Sequence, residues 1–261
     1  MSALHVEVIG RGPPLVLLHG WAMHGGVFSP LVERMQATRT LHIVDLPGHG
    51  GSRECGVPLT LEATTQAIHD AVPMGPWCGW SLGGLIALHA ASTQPGRVPA
   101  LMMLCATPKF VRSDDWPQGM PVEVFRSFAD GLREDWRGTL ERFIALEAFG
   151  SDQARDELRM LQDDLFARGE PAPHVLADGL GLLESSDLRG LLPTLGVPSL
   201  WLAGRRDRLV DPRAMQHAAS ATPNARQAQV EHAGHAPFLT HADAVAHHLH
   251  EFLADVEGAQ A

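Results

Sequence analysis

The sequence predicts an α/β fold, a mostly parallel sheet with helices on both faces and one helical insertion. Three observations point there. Short apolar runs recur along the chain and alternate with stretches of helical periodicity. Most of the runs end in a turn rich in Gly, Pro or Asp. One long stretch, Pro108 to about Leu188, contains no strand-like run. Strands that alternate with helices pair in parallel and are buried on both faces.

The elements follow in order. Leu4 to Ile9 alternates and reads as a first strand. Leu15 to Leu18 is a buried strand ending in His19-Gly20-Trp21, and Leu41 to Val44 is another, ending in Asp45-Leu46-Pro47-Gly48-His49-Gly50. Leu61 to Val72 has helical spacing. Trp77 to Trp80 is a strand, Leu82 to Thr93 a helix, and Leu101 to Cys105 a buried strand. Apolar residues then recur at helical spacing: Phe125, Phe128, Leu132, then Leu140, Phe143, Ile144, then Leu158, Leu161, Leu165. Ser199 to Ala203 and Arg226 to Val230 return to strand, with helices over Ala214 to Ala221 and Ala242 to Leu253. The expected division is a core of residues 1–107 and 189–261 and a helical cap of residues 108–188. In such a sheet ligands bind at the carboxyl ends of strands, which an insertion leaving one strand end can cover.

With 261 residues, 45% of them hydrophobic, the chain can bury one large core. There is no internal repeat. Met1 to Gly12 lacks the basic-then-apolar order of a secretion signal, and no apolar run approaches the roughly 18 residues that span a bilayer. Cys55, Cys78 and Cys105 are too scattered for a disulfide framework, and Cys78 reads as core packing. A cytoplasmic monomer is the expectation. The net charge of −10 argues against nucleic acid or an anionic membrane as partner. An acidic protein partner stays open, because a local basic patch can override the total.

Gly79-Trp80-Ser81-Leu82-Gly83 has the G-x-S-x-G form of a nucleophile elbow, a tight turn lifting a serine hydroxyl off a strand end. With 26 Gly in the chain the bare pattern is weak; its place between a strand and a helix strengthens it. Gly79 and Gly83 are expected where a Cβ would crowd the serine. A serine hydroxyl needs a base, and the base an orienting acid, both drawn from later strand ends. Asp207 follows Ser199 to Ala203 and is the candidate acid. Asp211, before Pro212 and a helix, reads better as a helix cap. His235 lies farther past the last strand than His232 and can hang over the sheet as the base. His232 reads as structural, and His247, His248 and His250 as solvent-facing or packing residues. Two backbone N–H groups, of Trp21 and Leu82, are candidate oxyanion donors. Asp45 with Gly48 and Gly50 lacks the Lys-Ser/Thr of a phosphate loop and reads as an ordered turn; His19 is expected to bond backbone.

Across Leu4 to Leu253 the chain resembles the α/β-hydrolase superfamily, on His19-Gly20-Trp21, Asp45 to Gly50, the Ser81 elbow, Asp207 and His235. Within it the chain is most similar to the pimeloyl-acyl-carrier-protein methyl ester esterases of biotin synthesis. The signs are Gly-Trp-Ser-Leu-Gly-Gly at 79–84, Glu141-Arg142-Phe143-Ile144-Ala145-Leu146, and Gly234-His235-Ala236-Pro237-Phe238. The resemblance implies a serine esterase with nucleophile Ser81, acid Asp207 and base His235, needing no cofactor or metal. It implies substrate contacts from Trp21, Leu82, Phe143, Ile144, Ala145, Leu146 and Glu147. It also implies an acidic acyl-carrier protein as partner, met by Arg142, Arg155 and Arg159. Position 138 is Gly138, where relatives carry a basic residue, and Asp156 and Glu157 crowd the same region. The rival readings are a general esterase or C–C-bond hydrolase on small free substrates, and a non-catalytic ligand-binding relative.

Overall fold

The computed structural model describes residues 4–259. Seven strands form one sheet: β1 (Val6–Gly10), β2 (Pro14–Leu18), β3 (Thr40–Val44), β4 (Trp77–Trp80), β5 (Leu101–Leu104), β6 (Ser199–Gly204) and β7 (Ala225–Val230). Their spatial order is β1-β3-β2-β4-β5-β6-β7. β1 runs antiparallel to β3 at one edge, and every other pair is parallel. The central strands β4, β5 and β6 are buried along their whole length, as both-faced burial of near-continuous apolar runs requires. β1 and β7, at the edges, are only partly buried.

The helices packing on this sheet are α1 (Ser29–Met35), α2 (Leu61–Ala71), α3 (Leu82–Thr93), α8 (Pro212–Ser220), α9 (Pro237–Thr240) and α10 (Ala242–Gly258). Their starts are set locally. The Thr60 hydroxyl accepts from the Ala63 N–H ahead of α2, and the Asp211 carboxylate from the Arg213 N–H ahead of α8. α3 follows β4 directly and is apolar nearly all round, so it buries against the centre of the sheet.

Between β5 and β6 the chain runs through four helices: α4 (Val122–Glu134), α5 (Trp136–Ala148), α6 (Ala154–Leu165) and α7 (Pro173–Ser185). No strand interrupts them; among the described residues this stretch holds only isolated bridges, Val111 with Met120 and Ser113 with Trp116. One place where they meet the core is Trp21. Its indole donates to the Leu176 carbonyl of α7 at 2.9 Å. Its rings stand edge-on to Phe143 of α5 at 4.6 Å and Phe128 of α4 at 6.3 Å. Strand ends move by one or two residues from the sequence expectation. At β5 the cause is visible: Cys105 takes φ +44°, which ends the strand one residue early. Among the described residues no helix is long and apolar enough to cross a membrane.

Candidate active site

Ser81 stands where β4 turns into α3, at φ +54° and ψ −117°. A residue with a Cβ rarely adopts this conformation, at a cost of about 1–3 kcal/mol, and the surroundings must hold it there. They do so through backbone. The Ser81 N–H donates to the Leu104 carbonyl at 3.1 Å, and the Ser81 carbonyl accepts from Gly84 at 2.9 Å. The two elbow glycines serve the same end, by a different route from the expected crowding of the serine. A Cβ on Gly79 would lie 2.2 Å from the Gly83 carbonyl oxygen, and one on Gly83 would lie 2.3 Å from that of Leu18. Both keep α3 tight on β4 and β2.

The early loop lies against the serine. A Cβ on Gly20 would sit 3.2 Å from the Ser81 Cβ and 3.0 Å from the Trp80 ring. The N–H groups of Trp21 and Leu82 have no acceptor among the described residues. Leu82 opens α3, where unpaired N–H groups and the helix dipole favour negative charge.

Asp207 and His235 meet. His235 Nδ1 donates to Asp207 Oδ2 at 2.8 Å, and the second oxygen accepts from the N–H groups of Leu209 at 2.8 Å and Val210 at 3.0 Å. With Nδ1 as donor, Nε2 keeps its lone pair. That nitrogen is buried and has no partner among the described residues. The loop carrying His235 is fixed on two sides: its N–H donates to the Glu147 carbonyl at 3.4 Å, and its carbonyl accepts the Trp80 indole N–H at 2.8 Å. Gly204, at the end of β6, allows the approach, since a Cβ there would lie 1.9 Å from the Gly234 carbonyl oxygen. Ser81 is 3% exposed and His235 1%, so any reaction here is shielded from bulk water. Chemically, a base with a free, buried nitrogen, an orienting carboxylate, a strained serine and two unpaired N–H groups suit acyl transfer.

The other residues singled out from the sequence fall into place unevenly. Phe143, Ile144 and Glu147 are buried on α5, while Leu146 is half-buried. Ala145 is exposed, which separates it from the implied substrate contacts: at 100° per residue five consecutive helical positions cannot share one face. Arg142, Arg155 and Arg159 are exposed. Arg142 donates to the Thr139 hydroxyl at 2.6 Å, Arg159 pairs with Asp156 at 3.3 Å, and Arg155 has no ion pair among the described residues. His19 bonds backbone on both nitrogens, to the Gly20 carbonyl and the Leu46 N–H, and burial pushes it down to about 3. Asp45 orders its turn by accepting from Gly25 and Gly51. Asp211 caps α8. His232 sits at the end of β7 with its ring exposed, accepting from Arg206 at 3.1 Å.

Three features had no sequence signal. Trp80 braces the His235 loop. Cys105 joins three loops, its sulfur accepting from Gly204 at 3.2 Å and facing the Gly234 carbonyl at 3.9 Å. Glu157 of α6 accepts from Ser151 and Thr240 at 2.6 Å each, tying α6 to α9 just past His235. Among the described residues no group of three or more His, Cys, Asp or Glu is disposed to hold a metal ion.

The pattern of the α/β hydrolase fold family matches residues 13–242. A pimeloyl-[acyl-carrier protein] methyl ester esterase of Stenotrophomonas maltophilia (strain K279a) is 57% identical over 251 residues, 96% of this chain and 96% of that protein. One of Xanthomonas campestris pv. campestris (strain B100) is also 57% identical, over 96% of this chain and 99% of that protein. Among solved structures, a bromoperoxidase from Bacillus anthracis superposes with a TM-score of 0.86 at 23% identity, covering 96% of this chain and 95% of that one. An esterase from Exiguobacterium antarcticum superposes with a TM-score of 0.84 at 22% identity, covering 97% and 95%.

Proposed function

This chain belongs to the α/β-hydrolase family and, within it, to the pimeloyl-[acyl-carrier protein] methyl ester esterases, and from that premise we propose that it cleaves the methyl ester of a carrier-linked pimeloyl group with a Ser81–His235–Asp207 triad. His235 Nε2 takes the Ser81 proton as Oγ attacks the ester carbonyl. The Trp21 and Leu82 N–H groups receive the developing oxyanion, each worth about 3 kcal/mol of barrier. His235 then protonates the departing methoxide, and water activated by the same imidazole releases the acid. Asp207 holds the ring in the tautomer that leaves Nε2 free.

The observation that carries this chemistry is the His235–Asp207 pair, 2.8 Å apart, with an unpartnered Nε2 in the same buried region as the elbow serine. The aromatic wall of Trp21, Phe128 and Phe143 suits the methylene chain of the acyl group. In this reading the carrier's thioester stays outside the buried serine, which explains how a serine esterase spares the more reactive bond.

The test is methanol release from carrier-linked pimeloyl methyl ester. Wild type is expected to turn it over, and Ser81→Ala to lose roughly six orders of magnitude in kcat on it and on a small activated ester. Retained turnover in the variant overturns the nucleophile. Turnover of small esters alone by the wild type would favour a general esterase.

A further inference from the structure

We propose that the arginine-lined hollow beside Asp207 forms part of the surface that receives the acidic carrier protein, extending it from the cap helices onto the core; this rests on the esterase reading above. The hollow encloses about 440 Å³ and is lined by Arg112, Arg205, Arg206, Arg208 and Arg213. Its two lining carboxylates are already engaged: Asp207 by His235, and Asp211 by Arg213 at 2.6 Å. Arg205 pairs with Glu231 at 2.9 Å. The other three guanidinium groups have no ion pair among the described residues. Arg112 donates to the Gly119 carbonyl, Arg206 faces the His232 ring, and Arg208 lies near enough to Asp211 to feel its charge without pairing with it.

Three exposed cations outside any ion pair around one concavity are costly to assemble, because like charges repel. They stand out further in a chain of net charge −10 with only 20 Lys and Arg. No ion pair among the described residues takes up their charge, and the Asp211 carboxylate beside them is already held by Arg213, so the complementary charge is assigned to a partner. The hollow is also continuous with the cap. Gly150, at φ +104°, brings the turn before α6 down onto this loop; a Cβ there would lie 2.4 Å from the Arg206 carbonyl oxygen and 3.3 Å from Arg208 Cγ. α6, which carries Arg155, begins at Ala154. Arginines thus stand on both sides of the turn, Arg155 on α6 and Arg206, Arg208 and Arg112 on the core, while the one acid of the turn, Asp152, faces His232 and His241. The three core arginines are exposed side chains on an open rim, which suits carboxylates presented by a convex protein surface.

The test compares wild type with Arg206→Glu/Arg208→Glu and Arg206→Gln/Arg208→Gln. Carrier bearing its prosthetic group but no acyl chain is titrated into each at about 0.1 M salt, where the screening length is roughly 10 Å and nearby charges dominate, by fluorescence anisotropy. Turnover of carrier-linked ester by the wild type is measured in parallel. The expected result is a graded loss of carrier affinity, roughly tenfold for Glu and roughly threefold for Gln, since reversal changes twice the charge of neutralisation. Grading with charge separates this from a folding defect, which would not follow the sign, and thermal melts of the three proteins check it. Equal carrier affinity in all three, with carrier-linked turnover intact, overturns the hollow as a docking surface and leaves the esterase reading standing. Absence of carrier-linked turnover in the wild type overturns that reading, and this proposal with it. Displacement of carrier by low-millimolar inorganic phosphate, lost in the Gln variant, would make the hollow a phosphate site and overturn its assignment to carboxylates.

Discussion

Glu147 is fully buried, and neither of its carboxyl oxygens meets a partner among the described residues. Burial, reinforced by the neighbouring charges of Asp207 and Glu157, holds its carboxyl well above the ordinary 4.5. The folded protein therefore keeps a proton there that the unfolded chain releases. Stability from this group is fully present below pH 4.5 and is lost as pH rises toward the folded value, by about 1.4 kcal/mol per pH unit. Glu147→Gln, which cannot ionise, is expected to gain thermal stability over the wild type between pH 5 and pH 8, with the gap widening at the higher pH. Melting curves at the two values check it, and parallel pH dependences would show that Glu147 is charged in the native state. None of this was legible in the chain. A glutamate on an amphipathic helix reads as solvent-facing, and the family resemblance grouped Glu147 with its neighbours without giving its environment. Ser81 and Asp207 could be picked out because each follows an apolar run of recognisable strand length, and His235 because it lies past the last strand in a Gly-His-Ala-Pro turn before a helix. Trp80 and Cys105 could not, because what they do depends on loops from distant parts of the sequence arriving beside them.

Elements bring those loops together, and the closest approach is between the ends of β6 and β7. Gly204 faces the Gly234 carbonyl so closely that a methyl group has no room, and the obstacle is backbone, which cannot swing aside. Gly204→Ala must therefore push the Asp207 loop and the His235 loop apart. A displacement near 1 Å in a catalytic group can lower rate by roughly a hundredfold. The expected outcome is a loss of that order in kcat on a small free ester, in protein whose circular dichroism still shows the folded state. A kcat within twofold of wild type would mean that the two loops are not held by this contact. Strand and helix order followed from periodicity alone, since parallel strands buried on both faces leave continuous apolar runs. The ends were less legible: β5 stops at Leu104 because Cys105 turns left-handed, a tertiary demand with no local sequence signature. How α4 to α7 pack was not legible either. Amphipathic spacing says that each helix buries a stripe, but not that Trp21 meets the Leu176 carbonyl or that Glu157 meets Thr240.

At the scale of the whole molecule, charge sets a contradiction that ionic strength can resolve. A body of net charge −10 should repel an acidic carrier, yet its exposed cap arginines Arg142, Arg155 and Arg159 present the opposite sign locally. The two effects have different ranges. At about 0.01 M salt the screening length is roughly 30 Å, and the partner feels the whole negative molecule. At about 0.1 M it is roughly 10 Å, the distant charge is screened, and the nearby arginines dominate. At about 1 M both are suppressed. For carrier-linked substrate, kcat/KM is therefore expected to pass through a maximum near intermediate salt, while a small neutral ester, steered by neither field, gives a flat profile. Arg155→Glu with Arg159→Glu reverses the sign of two of the docking arginines and adds to the long-range repulsion, so the maximum of its profile on carrier-linked substrate is expected to be lower and to lie at higher salt. A steady fall in the wild type from the lowest salt upward would mean that the local basic surface outweighs the net charge at every distance. A flat profile would mean that the carrier is recognised without its charge, and the arginines would then serve only to pair with neighbours such as Asp156.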